Sequence, residues 1–151
     1  MRAVVQRVSS GAVYIKRENY QQEIGKGLVV LLGINENDDE KDAAFIAKKV
    51  CSLRIFSDEN DKMNLSVKDI GGEILIISQF TLYGDASKGN RPNFSAAAKP
   101  DKAIPLYEKF ISFVKEDIGE SKVKSGIFGA MMLVKIFNDG PVTIILDSDL
   151  K

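Results

Sequence analysis

The sequence contains no histidine. The usual general base near neutral pH is therefore missing, and with it every His-dependent catalytic triad and most zinc sites. A single cysteine, Cys51, excludes an internal disulfide, and its place on the apolar side of a predicted helix reads as a buried structural thiol rather than a nucleophile. The 21 basic and 21 acidic residues cancel, so there is no global positive field of the kind that grips long nucleic acid. A small contact to one nucleic-acid end stays open. No apolar run approaches the length of a membrane span, and Met1 to Val8 reads as a strand rather than a signal peptide, so no membrane and a cytoplasmic location are expected. No cluster of metal ligands stands out. No metal and no cofactor are expected, and activity should survive chelators.

What is present is a chain of 151 residues, 44% hydrophobic and 28% charged, which predicts one domain over 1–151. Residues 2–8 and 12–17 alternate as two strands joined at Ser9-Ser10-Gly11, followed by a polar excursion over 18–23. Leu28 to Ile34 is a continuous apolar run, read as a strand buried on both faces. Ala43, Ile46, Ala47, Val50 and Cys51 fit one face of a helix entered from a capping loop at 35–40. Leu53 to Phe56 reads as a short strand. The acidic loop Asp58-Glu59-Asn60-Asp61 lacks a calcium loop's pattern, because Lys62 and Met63 stand where a ligand and a glycine belong. Ile74 to Ile77 is another apolar strand. A second helix carries Ala103, Leu106, Tyr107, Phe110, Ile111 and Val114 on one face, with Pro105 in or near its first turn and Gly119 at its close. Strands over 123–128, 132–137 and 142–146 finish a strand-dominated, mixed α/β chain with two main helices.

Two stretches carry the functional signal. Asn138-Asp139-Gly140-Pro141-Val142-Thr143 lies between two apolar runs and reads as a turn joining two strands. Gly140 can take backbone angles closed to other residues, and Pro141 makes the bond before it far more prone to be cis. Such a turn can present fixed carbonyl oxygens, or be an ordinary hairpin. The second stretch, Ser78-Gln79-Phe80-Thr81-Leu82-Tyr83, places small polar groups and free main-chain N–H groups where a strand runs out. Beyond it, Gly84 to Asn90 has phosphate-loop composition in the wrong order, which argues against a nucleoside-triphosphate site. Lys88, Arg91, Lys99 and Lys102 nonetheless place four cations there, on a loop that either meets a phosphate backbone or is simply solvated.

Taken together, these two stretches resemble the paired signatures of the D-aminoacyl-tRNA deacylases. The resemblance extends to Val5-Gln6-Arg7-Val8, to Lys88-Gly89-Asn90-Arg91-Pro92, and to Gly126-Ile127-Phe128-Gly129-Ala130 with Met132, in family order over nearly the whole chain. Met131 stands where many members carry a polar residue, and Asn93 is a second departure; neither touches the signatures. The resemblance implies a homodimer of small β-barrel-like α/β subunits that hydrolyses the ester between a D-amino acid and the 3′ end of tRNA. It implies an active site at the subunit interface, into which the Gly140-Pro141 turn of one subunit is inserted with a cis bond. On this chain Phe80 and Thr81 would be catalytic, Ser78 and Gln79 would line the pocket, and Ala103, Phe128 and Met132 would frame it. Arg7 would hold the Gly-Pro turn.

The chemistry implied is coherent. An enzyme accepting many D-amino acids has to read the α-carbon, and fixed carbonyls of Gly140 and Pro141 would fill the volume an L side chain needs. Glycine, having no side chain, would slip through. Main-chain N–H groups of Phe80 and Thr81 would receive the oxyanion. Without histidine, the 2′-hydroxyl of the terminal ribose is the expected activator of water, with Thr81 as nucleophile the alternative. A non-catalytic dimer binding aminoacyl-tRNA or RNA ends is the competing function, and a purely structural dimerisation module the third.

Overall fold

A computed structural model describes residues 1–150. In chain order the elements are β1 (Arg2–Ile15), β2 (Tyr20–Ile24), β3 (Gly27–Gly33), α1 (Glu40–Ser52), β4 (Phe56–Ser57), β5 (Met63–Leu65), β6 (Glu73–Ser78), α2 (Pro100–Ile118), β7 (Val123–Ser125) and β8 (Leu133–Asp147). Alternation in two apolar strands sets the architecture. In the parallel pair β3 and β6, Leu28, Val30, Leu32, Ile74 and Ile76 point to one face, while Val29, Leu75 and Ile77 point to the other. The first face carries the main core, covered by α1 and α2 through Ile46, Val50, Tyr107, Phe110 and Val114. The second encloses a smaller core with Val8, Val13, Ile15 and Ile24. Both faces of β3 are buried, as its unbroken apolar run predicts.

The sheet runs β2-β1-β3-β6-β7, with β8 on the other edge of β1. Its two path ends meet, because the Tyr20 hydroxyl on β2 donates to the Ser125 carbonyl on β7 at 2.7 Å. The sheet is thus rolled into a barrel-like form, flanked by two helices. Asp39 caps α1 by accepting from the Lys41 and Asp42 N–H groups, and the Asp42 carboxylate accepts the Asp39 N–H in return. Gly119 closes α2 with φ +100.

Several sequence expectations change. Residues 2–8 and 12–17 are not two strands joined at Ser9-Ser10-Gly11 but one strand, β1, because β8 pairs along nearly its whole length and absorbs the irregularity as register shifts around Val8. The polar excursion contains β2, in which Tyr20 and Ile24 pack on the smaller core while Gln21 and Glu23 are exposed. Only Phe56 of the expected 53–56 strand is extended in a ladder, and β7 ends at Ser125 rather than at Phe128. Pro100 takes the first turn of α2, which leaves Pro105 inside the helix. The largest correction concerns 138–143. The two apolar runs around it are one strand, and the chain does not reverse. Gln6 pairs with Thr143 and Val8 with Asn138, so residues 139–142 bulge out opposite Arg7 alone.

Candidate active site

Where β3 and β6 run out, the chain leaves a cavity of about 300 Å³. Ser78, Gln79 and Phe80 form one wall, Ala103 of α2 a second, and Phe128 to Met132 a third, with Leu32, Ile34, Ile77 and Val134 beneath. The third wall is irregular chain pinned from below. The buried Tyr107 hydroxyl donates to the Ile76 carbonyl at 3.0 Å and lies 3.4 Å from that of Gly126, while its ring meets Phe128 edge-on at 5.8 Å. At Gly126 the chain packs closely on the wall, and a Cβ there would lie 2.5 Å from the Met132 sulfur and 3.2 Å from Ile77 Cδ1, so Met132 would have to move. Among the described residues, none that lines the cavity is acidic, basic, a cysteine or a tyrosine.

The rim is a single 3-10 turn, Phe80–Tyr83. Gln79 continues the β3 ladder by donating its N–H to the Leu32 carbonyl at 2.8 Å. The N–H groups of Phe80 and Thr81 open the turn, and a helix start leaves such groups without intrahelical acceptors. Arg2 fastens the turn from behind: Nη1 donates to the Leu82 carbonyl at 2.9 Å, Nη2 pairs with Asp147 at 2.9 Å, and the guanidinium lies 4.9 Å over the Tyr83 ring. Thr81 is exposed, its hydroxyl accepts from Gln79 Nε2, and it does not line the cavity. The tyrosines nearby offer no base. Burial pushes the Tyr83 and Tyr107 phenols well above the usual range, with the charges of Asp38 and Asp147 adding to the effect at Tyr83. Burial likewise pushes the Cys51 thiol up to about 12, which fits a structural thiol.

The Gly140-Pro141 corner is the tip of the β8 bulge, and its peptide bond is cis. Arg7 grips it: Nε donates to the Asp139 carbonyl at 3.2 Å and lies 3.6 Å from the Asp139 carboxylate, while Nη1 donates to the Ile55 carbonyl at 2.7 Å. Asn138 closes the base of the bulge, its Nδ2 donating at 3.0 Å to the carbonyls of both Arg7 and Val142. Sequence reasoning gave Asn138 no role beyond turn composition, and gave Arg2 none; no local pattern announces partners so far along the chain.

The cavity thus gathers Ser78, Gln79, Phe80, Ala103, Phe128 and Met132. It does not gather Arg7, Gly140 or Pro141. Arg7 pairs with Leu28, whereas Ser78 pairs with Leu32, four positions further along β3. That is roughly 13 Å of strand. Gly140 and Pro141 are exposed in this chain, on an edge strand whose outer face also exposes Leu133, Phe137 and Ile145 by 62%, 61% and 68%.

Similarity to known proteins places the chain in a class, that of the aminoacyl-tRNA ester hydrolases. Within that class the chain belongs to the D-Tyr-tRNA(Tyr) deacylase family, whose model matches residues 4–147. It is 57% identical over 148 residues to the D-aminoacyl-tRNA deacylase of Clostridioides difficile (strain 630), covering 98% of this chain and 97% of that one. It is 54% identical over 151 residues to the D-aminoacyl-tRNA deacylase of Thermus aquaticus, covering 100% and 97%. A solved structure called c-Myc DNA Unwinding Element Binding Protein superimposes with a TM-score of 0.91 at 42% identity, covering 97% of this chain and 98% of that one. No described helix is long and apolar enough to cross a membrane.

Proposed function

We propose that this protein hydrolyses the ester joining a D-amino acid to the 3′-terminal ribose of tRNA, releasing both free, as a cytoplasmic homodimer. The observation that carries this reading is an acyl-sized cavity whose wall holds no ionisable side chain and whose rim offers two main-chain donors. Such a site stabilises charge without supplying a base. Water attacks the ester carbonyl, the N–H groups of Phe80 and Thr81 receive the oxyanion, and the carbon–oxygen bond to the ribose breaks with the proton passing to the leaving oxygen. Each donor of this kind contributes about 3 to 4 kcal/mol in other acyl-transfer enzymes. The water is oriented and activated by the 2′-hydroxyl beside the ester. The alternative nucleophile, Thr81, has its hydroxyl engaged by Gln79 and faces solvent outside the cavity.

Chiral selection falls to Gly140 and Pro141 of a second subunit. Their exposure, and their distance from the cavity of their own chain, fit a corner made to enter a neighbour's site. The apolar outer face of β8 supplies the surface such a dimer would bury. There the two carbonyls accept the substrate's amino group and occupy the space of an L side chain, so D-aminoacyl esters and glycyl esters are cleaved and L esters spared. Arg7 and Asn138 keep the corner in place.

Incubation with D- and L-aminoacyl-tRNA, following ester loss, tests the reading. Rapid loss of the D ester alone is expected. Tight binding of both without turnover would instead establish the non-catalytic RNA-end-binding dimer.

A further inference from the structure

We infer that residues 85–93 form a phosphate-binding spur which receives the acceptor strand of the tRNA next to the terminal nucleotide; this rests on the deacylase reading above. The segment is a built loop. Asp85 and Asn93 exchange main-chain N–H to carbonyl hydrogen bonds, both 2.8 Å, and the Asp85 carboxylate accepts the Ser87 N–H at 2.9 Å. Its far end is fixed to the cavity rim, where Phe94 meets Phe80 edge-on with ring centroids 5.1 Å apart. All of 86–92 is exposed, which puts Lys88 and Arg91 on the free end of the loop.

These two cations are uncommitted. Among the described residues neither takes part in an ion pair or a hydrogen bond, whereas Lys102 at the foot of α2 donates to the Glu36 carbonyl. The one carboxylate within the loop, Asp85, is held below the usual carboxylate range by the Ser87 N–H and serves the loop's own main chain. On a chain of zero net charge, two uncommitted cations on a loop that Phe94 joins to the cavity rim have a specific use. An ester seated in that cavity places the next phosphate of the strand within about one nucleotide of the rim, and Lys and Arg are the side chains that neutralise it. The loop then adds affinity for the nucleic acid without touching the reacting atoms.

The test compares the intact protein with its Lys88→Ala/Arg91→Ala variant on two substrates, full D-aminoacyl-tRNA and D-aminoacyl-adenosine, which carries no phosphate. Loss of two phosphate contacts should lower kcat/KM on the tRNA roughly tenfold through KM, and flatten the slope of log kcat/KM against log salt by about 1 to 2. Hydrolysis of the adenosine ester should change less than twofold, and Lys88→Arg should behave as the parent. Equal losses on both substrates, or an unchanged tRNA reaction and salt slope, would overturn the assignment. Fluorescence anisotropy with an uncharged acceptor-stem RNA supplies an independent measure: binding weakened in the variant supports the spur and unchanged binding overturns it. If the parent protein leaves D-aminoacyl-tRNA intact, the deacylase reading fails by itself, and the anisotropy still decides the loop.

Discussion

Replacing Gly140 with alanine puts a methyl group where the fold has no room for it. The residue sits at φ +120, a region that L side chains rarely adopt, and the added Cβ would lie 2.8 Å from Arg7 Nη2, 2.9 Å from Val142 Cγ2 and 3.2 Å from the Val142 nitrogen. Backbone strain of this kind costs about 1 to 3 kcal/mol. Relief by moving Arg7 weakens its hydrogen bond to the Asp139 carbonyl, worth about another 0.5 to 1.5 kcal/mol. The total, roughly 2 to 4 kcal/mol, is released by tilting the tip of the bulge. If only half of that energy is lost from exclusion of the L side chain, D-over-L discrimination falls about 5- to 30-fold, since 1.36 kcal/mol is a factor of ten in rate. The assay is parallel deacylation of D- and L-aminoacyl-tRNA by Gly140→Ala, with thermal unfolding as a control. A variant that melts earlier yet discriminates as sharply as the parent would refute the carbonyl reading.

Asn138→Ala removes two 3.0 Å hydrogen bonds at the base of the bulge and leaves two carbonyls unpaired, so stability should fall by about 2 kcal/mol, a Tm drop of roughly 4 to 8 °C by calorimetry. Phe137→Asp or Ile145→Asp places a charge on the apolar outer face of β8; sedimentation should show monomers and deacylation should be lost, and a fully active monomer would remove the proposed role of the second subunit. Cys51, with its thiol pushed up to about 12, should be inert to thiol reagents at pH 8 in the native protein and react once unfolded. Its ordinary value near 9.0 applies in the unfolded chain, so its ionisation favours unfolding only as pH rises from about 9 toward 12, and leaves stability below pH 9 untouched. Alkaline unfolding that begins earlier in the parent than in Cys51→Ala, within that window, is the signature to measure.

The parts of the fold legible in the sequence are those set by local periodicity. Val50, Phe110 and Val114 announce their helices because every third or fourth residue must be apolar, and Leu28 to Leu32 announces a strand buried on both faces because nothing polar interrupts it. Ser78, Gln79, Phe80, Phe128 and Met132 stand out for a different reason, a resemblance to a family pattern, and the cavity gathers them, whereas Thr81, which stands out with them, lies outside it. What could not be read locally depends on pairing across the chain. Whether Asn138 to Thr143 reverses the chain or bulges from one strand is decided by β1, whose Gln6 and Val8 pair with both of its sides. The polar strand β2 turns only two apolar side chains inward, Tyr20 and Ile24, with Gln22 between them, too weak a pattern to announce a strand. Arg2 is a surface-type residue by composition and a fastener of the Phe80–Tyr83 turn by geometry, and only folding brings Leu82 and Asp147 to it.

In the proposed mechanism the substrate's own 2′-hydroxyl activates the water, in keeping with a cavity wall that among the described residues carries no ionisable side chain. One comparison addresses this directly: single-turnover rates for D-aminoacyl-tRNA ending in adenosine against the same tRNA ending in 2′-deoxyadenosine, with Thr81→Ala run alongside. The deoxy substrate should be slower by about 100-fold or more, the size of a lost general acid–base contribution, while Thr81→Ala keeps most of its rate on the ribose substrate. A deoxy substrate cleaved at nearly the parent rate, together with an inactive Thr81→Ala, would mean that the protein and not the RNA carries the chemistry.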